Sequence, residues 1–323
     1  MKRNIAVIGC GQLGRRHIQG LGLSEFEINV HVYDVAKASL ETCVTFAKEI
    51  ADDIRNLRLL YFEDIETLSA ATPTFDLVII SSTAKDRPTD FRTLTSLIES
   101  KAWLLEKPIC QSPEELIELI DLTKGKKVWV NHFRRVVPWY RNIRANYFGD
   151  QKININFAGP DIGIGCNVSH FIDLVSFLTG EVPVSSDAAG LSDQWHDAKR
   201  KGFKEIDGEL ICHFSAGSIM RVISDDTHNH FTIFGKIVET ESTFVIDEVN
   251  GRLTINGKMS ELGQLPFQSQ LTGKVFDQIN QHSYSDLTPF SDAADCYHLV
   301  IEALLVHWQS TTGNADDSAV PLT

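Results

Sequence analysis

The stretch "IAVIGCGQLGRRHI", residues 5–18, decides how the rest of the chain is read. The apolar residues Ile5 to Ile8 run straight into Gly9, Gly11 and Gly14, and a helical pattern follows. This order describes a buried strand, a tight turn and a helix start. The first glycine permits the turn, the second lets a ligand approach the backbone, and the third lets helix and strand pack closely. A helix start also offers unpaired N–H groups and a positive dipole end, which suit a diphosphate. The alternative is a plain glycine turn that holds nothing. Asp34 speaks for the ligand. It closes the next apolar run, "INVHVYD", 20 residues past Gly14, where a carboxylate can accept hydrogen bonds from ribose hydroxyls.

The pattern therefore predicts a dinucleotide held by Gly9, Gly11, Gln12, Leu13, Gly14 and Asp34, with Ser82 and Thr83 completing the cradle after "FDLVIISS". Asp34 argues for NAD over NADP, because a 2′-phosphate would meet its negative charge. Lys37 has two readings, a cation for such a phosphate or an exposed lysine in the first turn of a helix.

Outward from this motif, "NIAVIG", "INVHVYD", "FDLVIISS", "KAWLLE" and "KKVWVN" read as strands alternating with helical patterns over the first ~130 residues, the signature of βαβ units on a parallel sheet. "SPEELIELIDLTKG" is a marked helix, with Ser112 as N-cap, Pro113 first, Glu115 as capping-box partner and Gly125 at its end. Beyond residue 150, "QKININFAG", "GELICHFSAGSIMRVIS", "HFTIFG" and "STFVIDEVNGRLTING" alternate strands with Gly and Asn turns. Helices are expected around "CNVSHFIDLVSFLTG" and "SDAADCYHLVIEALLVHW", and the end, "TTGNADDSAVPLT", reads as a polar tail. The expected fold class is α/β. A Rossmann domain over 1–130 precedes an α+β domain over 131–323 that carries a large, mostly antiparallel open sheet.

Composition narrows the function classes. Net charge is −13, from 43 acidic against 30 basic residues, which disfavours nucleic acid or an anionic membrane as partner. No apolar run reaches the ~20 residues needed to span a bilayer. The six cysteines, at 10, 43, 110, 166, 212 and 296, are scattered without a close pair. That usage predicts free thiols and a cytoplasmic protein rather than a disulfide frame or zinc site.

Lys107 follows the strand "KAWLLE", at the edge where open α/β sheets place their ligands. It is expected beside the nicotinamide; the alternative is a surface ion pair at a strand end. At this point the chain resembles a known family. The opening "IAVIGCGQLG", the Glu106-Lys107-Pro108 triplet, "NHFRRVVPWYRNIR", "SHFIDL" and "PFSDAADCYHLVIEALLVHWQS" are similar to the Gfo/Idh/MocA oxidoreductases. The resemblance runs nearly end to end. It implies an N-terminal Rossmann domain, a C-terminal open sheet, homodimers or homotetramers formed through that sheet, and a cis Lys107–Pro108 peptide. It also implies that Glu106 and Lys107 belong to the cofactor site and that Lys107 touches substrate too.

Within "CNVSHFIDLVSFLTG", Val168, Phe171, Ile172, Val175 and Leu178 form one helical stripe. His170 and Asp173 project from nearly the opposite side, one turn apart. They are either a satisfied structural pair or part of an active site. Imidazole titrates near working pH and suits proton removal from a secondary alcohol, while Asp173 can fix its tautomer or bind a hydroxyl. The resemblance gives the acid–base role to His170. It also exposes a departure: many relatives carry Asp where this chain has Cys166. Asn167 is either a substrate ligand or a helix N-cap. Arg134, with Arg135 and Tyr140, either lines the substrate pocket or makes structural contacts. His228 and His230 read as sharing a strand face in "HNH" and could suggest a metal, but they lack a third ligand nearby, so no metal is expected.

The sequence thus predicts an NAD-dependent oxidoreductase acting on the CH–OH group of a sugar, nucleotide sugar or cyclitol, through Lys107, His170 and Asp173. The alternatives are a dinucleotide- or sugar-sensing regulator of the same fold, and a redox-neutral enzyme that retains its NAD.

Overall fold

The computed structural model describes residues 2–323. Two compact units share the chain, Met1–Ile109, Ile117–Val136 and Pro266–Phe290 in the first, and Cys110–Leu116, Val137–Leu265 and Ser291–Thr323 in the second. A single cut at residue 130 misses this interleaving. Residues 266–290 return to the first unit because their apolar side chains Val275, Phe276 and Ile279 join its core.

The first unit starts with β1 (Arg3–Ile8), α1 (Gln12–Leu21), β2 (Ile28–Tyr33), α2 (Lys37–Glu49), β3 (Leu57–Phe62), α3 (Ile65–Ala70), β4 (Leu77–Ile80), α4 (Arg87–Leu97) and β5 (Trp103–Leu105). α5 (Pro113–Thr123), which belongs to this unit from Ile117 on, and β6 (Val128–Val130) follow. The six strands pair in parallel in the order β6-β5-β4-β1-β2-β3. Chain order reverses between β1 and β4, and ligands of such sheets bind outside the carboxyl ends there. β4 is buried throughout and β1 from Ile5 to Ile8, as the apolar runs require.

In the second unit come α6 (Pro138–Ile143), β7 (Ile153–Gly159), α7 (Ile164–Thr179), β8 (Pro183–Leu191), the short pair β9 (His196–Asp197) and β10 (Lys204–Glu205), β11 (Gly208–Phe214) and β12 (Ile219–Ser224). β13 (Thr232–Ile237), β14 (Ser242–Asp247), β15 (Arg252–Ile255) and β16 (Lys258–Glu261) complete its sheet. Eight strands lie in the order β16-β15-β14-β13-β7-β12-β11-β8. Every neighbouring pair is antiparallel except β7 with β12. Alternate residues such as Ile155, Phe157, Met220 and Val222 are buried, and α7 packs beside β12. Phe157 stacks on Phe171 of α7 at 4.4 Å.

α8 (Thr272–His282) and β17 (Thr288–Pro289) then rejoin the first unit, with β17 antiparallel to β6, before α9 (Phe290–Thr312). Gly273 and Gly20 let α8 approach α1 closely: a Cβ on Gly273 would sit 2.6 Å from the Gly20 carbonyl oxygen. The last residues are not simply a polar tail. Val320 and Leu322 are fully buried in the second unit, and Val320 N–H donates to the Gln111 carbonyl at 2.9 Å.

Candidate functional site

Gly9 ends β1 with φ +83°, and a Cβ there would meet the Ser82 nitrogen at 2.9 Å. The Ser81 hydroxyl donates to the Ile8 and Gly9 carbonyls at 3.0 and 2.6 Å, which ties the turn to the end of β4. A Cβ on Gly14 would lie 2.0 Å from the Gly9 carbonyl oxygen, so α1 can pack here only on glycine. Gly11 differs. A Cβ on Gly11 would meet nothing within 4 Å, so the fold itself does not require glycine there. Gly11 is also the N-cap of α1 and gives that helix no side-chain cap. With Gln12 and Leu13 in its first turn, α1 presents open backbone donors, a cradle that fits a diphosphate.

Asp34, just past β2, accepts from the Cys10 N–H at 2.8 Å and the Ala36 N–H at 2.9 Å. The carboxylate is thus fixed against the glycine loop, and its remaining lone pairs stay available to hydroxyl donors. Lys37 is exposed and sits 3.7 Å from Glu63. Burial raises the Tyr33 hydroxyl above its ordinary range, and the charges of Asp90, Asp34, Glu66 and Asp64 add to the shift. The end of β2 therefore sits in a negative field. After β4, Ser82 and Thr83 are half-buried, and the Thr83 hydroxyl donates to Asp86 at 2.5 Å.

Sequence reasoning passed over Arg87, which is 2% exposed. Its guanidinium donates to the carbonyls of Ser82, Pro108 and Ile109, joining the β4 loop to the turn that carries Lys107. Only an arginine ahead of Pro88, unfavourable to the dipole of α4, hinted at it. Lys107 is half-buried after β5, and the Lys107–Pro108 peptide is cis. The Glu106 side chain turns inward, 2% exposed, and its Oε1 meets His17 Nε2 at 2.7 Å and Asn131 Nδ2 at 2.5 Å. Burial pushes this carboxyl up, but hydrogen bonds from His17 and Asn131 and the charges of His17 and Arg87 outweigh it and hold it below the usual glutamate range. Arg134 follows β6 in a short 3-10 turn, buried, with its guanidinium 5.1 Å from the Phe133 ring centre.

The second unit carries the other candidates on α7. This helix begins at Ile164, before Cys166, with Gly163 at the N-cap and φ 67°. Asn167 is accordingly not the N-cap. It lies in the first turn, and its side-chain amide donates to the Ile162 carbonyl at 2.7 Å. Glu205 of β10 supplies the cap, accepting from the Gly165 and Cys166 N–H groups at 2.9 and 3.0 Å. His170 and Asp173 are 7% and 0% exposed. α7 is buried nearly all round, so its two sides do not divide into core and water.

Other expectations change. Tyr140 is fully buried, and its hydroxyl donates to Glu248 at 2.6 Å. His228 and His230 share no strand face but lie in the loop after β12, where His228 Nδ1 is 2.8 Å from Asp225. Among the described residues, no three His, Cys, Asp or Glu side chains gather to hold a metal ion. A groove of about 560 Å³ between β8 and α9 is lined by residues such as Val184, Asp187 and Val306, none of them a predicted site residue. Among the described residues no helix is long and apolar enough to cross a membrane.

A parallel sheet with an open glycine cradle at its switch point, a carboxylate after β2 and a lysine after β5 defines a dinucleotide-binding oxidoreductase domain. Residues 3–132 match the family model described as "Oxidoreductase family, NAD-binding Rossmann fold", that of the Gfo/Idh/MocA proteins. The whole chain shares its fold with UDP-N-acetylglucosamine 3-dehydrogenase from Acidithiobacillus ferrooxidans, at TM-score 0.70 and 19% identity, covering 97% of this chain and 99% of the other. An oxidoreductase from Agrobacterium radiobacter in complex with NAD+, L-tartaric acid and magnesium is also similar (TM-score 0.71, 14% identity, 98% and 97% covered). So is levoglucosan dehydrogenase in complex with NADH (TM-score 0.70, 13% identity, 96% and 98% covered). No curated protein sequence matches significantly.

Proposed function

We propose that this chain is an NAD-dependent dehydrogenase or reductase acting on a CH–OH or keto carbon of a sugar, nucleotide sugar or cyclitol. The carrying observation is the sheet edge of the first unit. An uncapped α1 with open space at Gly11, Asp34 after β2 and Lys107 after β5 stand at the carboxyl ends of its strands. NAD is preferred over NADP because the negative field at Tyr33 opposes a 2′-phosphate, and Lys37 is engaged with Glu63. The substrate class rests on the dehydrogenases of sugar-like molecules that share the fold.

Gly9, Gly11, Gln12, Leu13 and Gly14 hold the diphosphate, Asp34 the adenosine ribose, and Ser82 and Thr83 the neighbouring portion. Bound NAD supplies the hydride acceptor. Lys107 hydrogen-bonds the reacting oxygen and stabilises its developing charge. His170 takes the hydroxyl proton in oxidation and returns it in reduction, with Asp173 orienting the imidazole or binding a second hydroxyl. Asn167 and Arg134 contact the rest of the substrate, while the Glu106 carboxylate acts from beneath the lysine. Position 166 supplies no carboxylate to this set.

The same reading makes the protein cytoplasmic, in keeping with six free thiols, with no nucleic acid or membrane partner. Homodimers or homotetramers form through the eight-stranded sheet, whose less buried face carries the apolar Ile211, Ile219, Ile223, Phe234 and Val245.

The test is nicotinamide absorbance with NAD and a panel of sugars, nucleotide sugars and cyclitols. Wild type is expected to reduce NAD with one class. His170→Ala and Lys107→Met are expected to lower turnover by about 10²–10⁴-fold while NADH affinity, read by fluorescence titration, stays nearly intact. Wild-type turnover in both variants would sink the assignment. Silence across the panel, in protein that binds NADH, would shift weight to a sensor or a redox-neutral enzyme.

A further inference from the structure

Beneath the Lys107 turn the Glu106 carboxylate sits in a buried polar cluster whose other members the proposed reaction does not use. His17 sits on α1, with no exposed surface. Its Nε2 is 2.7 Å from Glu106 Oε1 and its Nδ1 is 3.0 Å from the Thr272 hydroxyl of α8. Asn131, just past β6, donates to the same Glu106 oxygen at 2.5 Å and to Gln268 at 2.8 Å. Gln268 in turn donates to the Thr272 hydroxyl at 2.9 Å. All five residues belong to the first unit.

Such a cluster is a poor device for stability alone. Taking a carboxylate and an imidazole out of water costs about as much as their pairing returns, and apolar side chains would fill the space more cheaply. A satisfied network fixes orientation instead, since each member has one geometry that pairs it. Here the fixed carboxylate is the residue immediately before Lys107. The far side of the same turn is held by Arg87 through the Pro108 and Ile109 carbonyls. The other end of the pair is α1, whose first turn forms the cradle.

We propose that His17 and Glu106 are positioning residues, whose buried pair locks the Lys107 turn to α1 and so sets where the lysine stands relative to a dinucleotide in the cradle. The inference rests on the reading of Lys107 as the residue beside the nicotinamide. His17 touches neither cofactor nor substrate; it acts through Glu106.

The side chains available at position 17 separate the two ring nitrogens. Glutamine places an amide N–H near the position of Nε2 and keeps the donor to Glu106. Asparagine reaches only as far as Nδ1, keeps the Thr272 side and loses Glu106. The measurement is the rate of Lys107 acetylation by acetic anhydride, read by peptide mass spectrometry, with and without saturating NADH. NADH affinity is measured in parallel by fluorescence titration. Wild type and His17→Gln are expected to show Lys107 protected by NADH. In His17→Asn, NADH still binds and the protection of Lys107 is lost. Glu106→Asp, which retracts the charge by one methylene, serves as a second variant should His17→Asn fail to fold, and it too is expected to lose protection.

Wild-type protection in His17→Asn, or in Glu106→Asp when only that variant folds, overturns the proposal, since a merely structural pair would lower stability or affinity and leave the lysine in place. Absence of protection in the wild type with NADH bound is a different failure. It removes Lys107 from the nicotinamide and takes the site reading down with this inference.

Discussion

α1 and α7 both begin at glycines, and their first turns are treated in opposite ways. α1 follows Gly11 with no side-chain cap, and a Cβ on that glycine would meet open space. α7 follows Gly163, and its free N–H groups at Gly165 and Cys166 are already bonded to the Glu205 carboxylate. A Cβ on Gly165 would lie 2.5 Å from the Leu322 side chain. A helix start carries a partial positive charge in either case. In α7 the chain supplies the anion itself and seals it with its C-terminal residues. In α1 the place is left for something else. A glycine-rich helix start therefore marks an anion site only where the surrounding structure leaves it uncovered.

The largest effect should come from the seal on α7. Leu322→Ala removes a fully buried side chain and is expected to cost about 2–4 kcal/mol in urea unfolding. A silent substitution would mean that α7 is no more enclosed than α1.

Gly14 and Gly11 divide the two duties of the cradle. Gly14→Ala forces a Cβ into the Gly9 carbonyl and should destabilise the first unit by about 1–3 kcal/mol. Gly11→Val should leave the melting temperature close to wild type and weaken NADH binding about tenfold or more, roughly 1.4 kcal/mol. Unchanged NADH affinity in Gly11→Val would close the open cradle as a ligand site.

Glu205→Ala should cost about 1–2 kcal/mol, the loss of a helix cap, and leave NADH affinity untouched. A change in NADH affinity would mean that the cap serves more than α7.

The smallest effect is a slope with pH at Glu106, the carboxylate that serves side chains rather than a helix start. Its folded pKa lies below the unfolded value. The stabilisation is therefore present above the ordinary glutamate range, about pH 4.3, and is lost as pH falls through the lower folded value. The stability gap between wild type and Glu106→Gln should be widest near neutrality and shrink in acid. A gap independent of pH would show that the charge contributes nothing.

Local chemistry made much of the first unit legible. Ser112 does cap α5, its hydroxyl oxygen accepting from the Glu115 N–H at 3.1 Å, and Gly125 beyond its end takes φ +74°. The Glu115 carboxylate reaches back to the Gln111 N–H, one residue further than a capping box places it. β3, "LRLLYF", carries no clear strand signature, because it shows neither strict alternation nor an unbroken apolar run and is mostly half-buried. α7 could not be started correctly, because glycines at 163 and 165 discourage a helix and its cap comes from β10, some forty residues on.

By itself the sequence determined the glycine turn, the carboxylate after β2 and the lysine after β5, because each depends on residues adjacent in the chain. Only the tertiary structure decided that Gly11 faces open space, that Arg87 and His17 brace the lysine's turn, and that residues 266–290 return to the first unit. Those outcomes depend on partners brought together from distant segments. A residue's own periodicity says how it folds locally, not what will be packed against it.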